Sequence, residues 1–154
     1  MISDVERYQG IVLRQVVMAC PEGVRVRPVN RAGRADAYSL GNAAFLVKHS
    51  SKRLSPWRFT LQPEHMQEFA ELGDIYAPVW LVLVCGIDGL VAISMPELHD
   101  MVGLNLSAAG WLRVSRGRNE MYRVAGPLKE LERAKPRGVE IFVNDARAAG
   151  AVEA

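Results

Sequence analysis

Asp36 and Lys48 are the pair in this chain whose types and spacing could share a reaction or hold a charged ligand. An apolar run at 43–47 has the composition of a buried strand and ends on Lys48, with Asp36 one turn-rich segment upstream. A basic loop at 50–55 carries Lys52 and Arg53, and a short strand is predicted at 57–61. An acid, a strand-end lysine and a basic loop thus form one candidate site. Around Trp57 the cations Lys48, His49, Lys52, Arg53 and Arg58 collect; such groups contact phosphates while an aromatic stacks on an unpaired base. Trp57 and Phe59 also alternate along their strand, the pattern of two core residues. Arg113, Arg116, Arg118 and Arg123 make a second basic cluster on a predicted C-terminal hairpin.

Composition narrows the classes. With 154 residues, 49% of them hydrophobic and 23% charged, the chain is long enough to bury one substantial core. A net charge of +2 neither demands nor excludes a polyanionic partner, so the distribution of charge decides. Cys20 and Cys85 stand far apart with no CxxC spacing, as in a reducing compartment, and the longest apolar run, 79–85, is too short to cross a bilayer. With acids near its start where a signal peptide would carry lysines, the chain reads as cytoplasmic. His49, His65 and His99 never fall at helical metal-site spacing, and His65 reads as an exposed helix residue. The glycines form no phosphate-cradling loop, and no serine sits in a nucleophile elbow.

The elements that must position these residues are legible from periodicity and punctuation. Ser3 and Glu6 form a capping box for a helix reaching about Cys20 and stopped by Pro21, Glu22 and Gly23. Residues 24–29 alternate valine and arginine as a strand with a wet basic face, and 30–34 form a basic loop. Arg25, Arg27, Arg31 and Arg34 concentrate positive charge there, as on a solvated edge strand. Pro63 opens a helix that Gly73 ends; 79–85 is a strand covered on both faces; 90–93 pairs back on it; Ser94 and Glu97 cap a helix closed by Gly103. Strands are predicted at 111–115 and 121–124, a helix at 127–134 and a last strand at 139–143. The Ala- and Gly-rich end, 146–154, offers nothing large to pack and reads as a flexible tail, leaving one domain at 1–145. The expected architecture is α/β, a central mixed sheet flanked by helices.

The run from Asp36 through Leu46, Val47 and Lys48, with the 57–61 strand, the Pro63 helix and the 79–85 strand, resembles the core of the PD-(D/E)XK nuclease superfamily, the restriction-endonuclease-like fold of Holliday-junction resolvases. The resemblance covers roughly residues 1–102 and rests on element order more than on letters. It implies that Asp36 is the first metal-binding acid, that Lys48 is the catalytic lysine, and that an active site would hold Mg²⁺ through carboxylate oxygens. It also implies DNA as partner and a homodimer, most simply by a sheet extended across a two-fold axis. The main departure is Leu46, which stands where the family has Glu or Asp. Glu64 in the next helix, or Glu6 on the first, would have to supply the relocated carboxylate.

Three readings follow. One is a degenerate nuclease-like module that binds nucleic acid or a protein partner without cutting, using Lys52, Arg53, Trp57, Arg58, Arg116 and Arg118. Another is an active Mg²⁺-dependent endonuclease with a relocated acid. The third is a small α/β interaction domain in which Lys48 simply leaves the sheet edge for solvent.

Overall fold

The computed structural model describes residues 1–20, 23–29, 36–104 and 110–148. Pro21, Glu22, the basic loop with Arg31 and Arg34, and residues 149–154 of the expected tail lie outside the described residues.

The α/β class holds, in three layers. Helix α1 (Asp4–Ala19) starts where Ser3 accepts the Glu6 amide at 3.2 Å and donates to its carboxylate at 3.1 Å. It buries Tyr8, Val12 and Val16, spaced by four, against one face of a five-stranded sheet. That sheet runs β1 (Val26–Pro28), β2 (Ala37–Leu40), β3 (Ala43–Ser50), β5 (Val79–Cys85), β6 (Gly89–Ser94); β3 and β5 are parallel and the other pairs antiparallel. On its other face lie α2 (Pro63–Ile75), α3 (Met95–Val102) and a separate three-stranded antiparallel sheet, β4 (Trp57–Leu61), β7 (Gly110–Ser115) and β8 (Arg123–Ala125). Helix α4 (Glu140–Ala148) packs beside α1.

Every residue of β5 is buried, as a strand sandwiched between two cores requires. Leu81, Leu83 and Cys85 face the α2 side, whereas Trp80, Val82 and Val84 face α1. Among the described residues no helix is long and apolar enough to cross a membrane.

Several expectations are corrected. The 57–61 strand does not join the central sheet, because its apolar face, Trp57, Phe59 and Leu61, packs across the core and its backbone pairs with β7. Strand β2 was not anticipated; it is short and polar at Ser39, and Asp36 immediately precedes it. Gly73 lies inside α2, where a Cβ would meet Met95 Cε at 3.2 Å, so its smallness serves packing and not termination. The helix predicted at 127–134 is absent because its amides are spent on partners elsewhere in the fold: Leu128 N–H donates to Met101 O at the end of α3 and Leu131 N–H to Val124 O of β8, each at 2.9 Å. The strand predicted at 139–143 is instead the start of α4, and Val139, Phe142, Val143 and Ala146 share its buried stripe. Ala146 therefore belongs to the domain and not to a tail beyond residue 145.

Both edges of the central sheet are guarded. Edge strand β1 ends in Pro28, which has no N–H, and exposes Arg25 and Arg27 alongside; at β6, Gly138 donates to Leu90 O at 2.9 Å.

The β5–β6 turn, 86–89, meets the loop 51–56 without space for a side chain. Gly86 has φ +56°, and a Cβ there would lie 2.1 Å from Lys52 O. Gly86→Ala is therefore expected to cost about 2 kcal/mol or more in urea denaturation; unchanged stability would mean that the loop and turn are not held together.

Candidate nucleic-acid interface

Asp36 and Lys48 line one pocket, of about 470 Å³, but they reach it from opposite faces of the sheet. Val47 N–H donates to Asp36 O at 3.0 Å, so Asp36 sits beside Val47 and, by strand alternation, on the α1 face. Lys48, one residue on, points to the α2 face, where its Nζ lies 3.3 Å from His65 Nδ1. His65 is thus a partner of Lys48 and not a free surface residue. Its Nδ1 also accepts the Gln62 amide at 3.0 Å, which fixes the lone pair on Nδ1 and the ring proton on Nε2. His49, back on the α1 face, stacks on Tyr8 with ring centroids 4.6 Å apart. Burial holds its pKa below the usual histidine value and Lys48 adds to this, against the pull of Asp4.

The carboxylates that the nuclease resemblance called on do not join this pocket. Glu6 is committed to the Ser3 cap, and Glu64 is exposed in the first turn of α2. Leu46 is buried in the core beneath α2. Asp36 Oδ1 is itself buried without a hydrogen-bond partner, and the polar groups that share the pocket include Lys48, His49 and His65. One carboxylate beside an ammonium, two imidazoles and the Gln9 amide, whose oxygen accepts the Tyr38 hydroxyl, is a poor oxygen-donor set for Mg²⁺. Among the described residues no group of three or more His, Cys, Asp or Glu side chains is placed to hold a metal ion.

The basic residues fare differently, because the fold joins the two clusters that are separate in sequence. Pairing of β4 with β7 sets Arg58 directly opposite Arg113, and pairing of β7 with β8 sets Ser115 opposite Arg123. Inward residues Trp57, Phe59, Leu112, Val114 and Val124 fill the core, so alternation turns Arg58, Arg113 and Arg123 outward, where all three are exposed. The base-stacking role expected of Trp57 is ruled out by its burial: it is 2% exposed and its indole N–H donates to Lys52 O at 2.8 Å. The outward aromatic is Trp111, half-buried and opposite Thr60, with the Arg58 guanidinium 4.7 Å from its ring centroid. That residue was missed, although the alternation Trp111, Leu112, Arg113, Val114 already places Trp111 and Arg113 on one face.

Arg116 also departs from its expected role. It donates to both oxygens of Asp88, at 2.6 and 2.8 Å, and lies over the Tyr122 ring, tying the small sheet to the β5–β6 turn. Lys52 Nζ donates to Pro56 O at 2.9 Å and remains exposed, as do Arg53 and Arg118. Among the described residues no salt bridge engages Arg58, Arg113 or Arg123.

No family model, curated protein or solved structure matches this chain. The site is therefore defined by its own geometry.

The Arg116 hydrogen bonds hold the Asp88 carboxyl below the usual range against the opposing effect of burial, and the Tyr122 hydroxyl, donating at 2.6 Å, lowers it further. A carboxylate with a lowered folded pKa stabilises the fold above its unfolded value, about 3.9, and this is lost as pH falls through the lower folded value. Asp88→Asn should lower Tm at pH 7 by about 4–10 °C, with the gap from wild type closing below about pH 4. Thermal melts across pH 3–8 check this, and a pH-independent gap would show that the Asp88 charge is not the stabilising feature.

Proposed function

We propose that this chain binds single-stranded nucleic acid, DNA foremost, on the outer face of its three-stranded sheet, and that it does so without hydrolysing it. The observation that carries this reading is the face itself: Arg58, Arg113 and Arg123 exposed together, without ion pairs among the described residues, beside the half-buried ring of Trp111. Arginines set directly opposite each other on a sheet repel, and the Arg58 contact with Trp111 offsets this for one of the pair alone. Phosphates relieve the repulsion and release counterions as they bind. Trp111, braced by Arg58, supplies the flat apolar surface on which an unpaired base stacks, a contact worth about 1–3 kcal/mol per base. A duplex buries its bases and offers that ring nothing.

The absence of cutting rests on the other site. Asp36 and Lys48 approach the sheet end from opposite faces, and neither Glu6 nor Glu64 completes an oxygen cage with them. Likeness to the PD-(D/E)XK superfamily is kept here as a proposal about element order, with the Asp36 and Lys48 positions as its remnants. A cytoplasmic setting suits the reading.

Fluorescence anisotropy with labelled oligothymidylate tests it. Three phosphate contacts predict a log Kd against log salt slope of about 2, falling by about 0.7 for each arginine replaced by alanine. Trp111→Ala should weaken binding by about 5- to 150-fold with little change in slope. Binding that ignores all four substitutions would reject the face as the site. Mg²⁺-dependent cleavage abolished by Asp36→Ala and Lys48→Ala would instead establish the endonuclease reading.

A further inference from the structure

Three segments meet at the end of the molecule where β3 and β5 finish and β4 begins: the loop 51–56, the turn 86–89 and the β7–β8 connection at 116–122. Each presents a large apolar side chain to solvent. Leu54 is 75% exposed, Ile87 77% and Met121 48%. Single exposed apolar residues are ordinary, but these stand on neighbouring backbone.

They are also held rigidly. Gly86 N–H donates to Ser50 O at 2.8 Å, Trp57 Nε1 to Lys52 O at 2.8 Å, and the Arg116 amide to Ser55 Oγ at 3.0 Å. Asp88 then fastens the turn to Arg116 and Tyr122. These bonds hold the loop with Leu54 outside. Around the apolar tip stand Lys52, Arg53, Arg118 and Arg137, all exposed, with the Asp88 charge already matched by Arg116 and Glu120 the remaining acid of the 116–122 segment.

We propose that this tip is a wedge that splits base steps where duplex meets single strand, delivering the unpaired strand to the arginine face. Location favours this over a lipid surface. The tip continues directly into β4, β7 and β8 at the end that bears Arg58, Arg113 and Arg123. A strand lying on that face therefore leads to Leu54 and Ile87. Apolar side chains inserted between bases pay for unstacking through the added contact, and the flanking cations hold the phosphates on either side.

The inference rests on the single-strand reading, so its test separates the two. Wild-type protein is titrated with a forked duplex carrying 2-aminopurine at the junction, with the same single strand, and with blunt duplex. The fork should bind about fivefold or more tightly than the single strand, with a rise in 2-aminopurine fluorescence as its base unstacks. Leu54→Ser with Ile87→Ser should abolish both the preference and the fluorescence rise while leaving single-strand affinity and Tm unchanged, since both side chains are exposed. Arg58→Ala with Arg113→Ala should weaken every complex. Single-strand binding with no fork preference would overturn the wedge alone. No binding to any of the three would overturn both readings. Sedimentation with phosphatidylserine vesicles, lost in the serine variant and without fork preference, would assign the tip to lipid and also overturn the wedge.

Discussion

The Asp88 carboxylate is the point on which the arrangement of the two sheets depends. It sits in the β5–β6 turn of the central sheet, yet it accepts hydrogen bonds from Arg116 and Tyr122 of the small sheet's hairpin. Two antiparallel strands and a third of three residues would be marginal alone. Here they share a core with the α2 face of the central sheet, and the Asp88 contacts fix their orientation on it. Tyr122 fits this role: its ring is buried edge-on to Trp57, with centroids 6.2 Å apart, while burial and the bond to Asp88 push its hydroxyl pKa upward, keeping it a neutral donor. A second ion pair starts from the segment whose backbone pairs with Tyr122 and reaches α3. Lys135, 5% exposed, donates twice to Glu97, whose own carboxyl is raised by burial but lowered overall by Lys135 and the Ser94 cap.

Once the small sheet is docked by its apolar face, its outward face is decided by alternation alone. Trp57, Phe59, Leu112, Val114 and Val124 go in, so Arg58, Trp111, Arg113 and Arg123 must go out. The basic surface is thus a consequence of packing as well as of charge, and it assembles from segments more than fifty residues apart in the chain. Neither half would make a surface without the β4–β7 pairing.

This explains what was legible in the sequence and what was not. Local signals held: Ser3 and Ser94 cap helices, Pro63 opens one, and the unbroken apolar run of β5 is buried on both faces. Errors came where tertiary contacts outvoted local pattern. Leu128 and Leu131 carry a helical spacing, but their amides are claimed by Met101 and Val124. The run Val139, Ile141, Phe142, Val143 looks like a strand until Ala146 is added, and then it is one stripe of a helix. The candidate site divides the same way. Residue types near Asp36 and Lys48 were readable, but their approach from opposite faces depends on a β2–β3 register that no local pattern shows. Trp57 and Trp111 exchanged roles for the same reason, since which face of a short strand is buried depends on its docking.

The net charge of +2 conceals a strongly divided surface. Helix α2 exposes Glu64, Glu71 and Asp74 and holds no lysine or arginine, whereas the outer face of the neighbouring small sheet holds three arginines and no acid on its strands. Helix and sheet lie in the same layer, α2 packing against β4. On the proposed reading a polyanion drawn to the sheet would be repelled on the side where α2 lies, and the cations that extend the positive surface are those of the tip: Lys52, Arg53, Arg118 and Arg137. Because exposed charges act over about 8–10 Å at physiological salt, this division sets local direction and not merely overall affinity. Under the proposed single-strand reading, a chain of nearly balanced charge would in this way lead a polyanion from the arginine face toward Leu54 and Ile87.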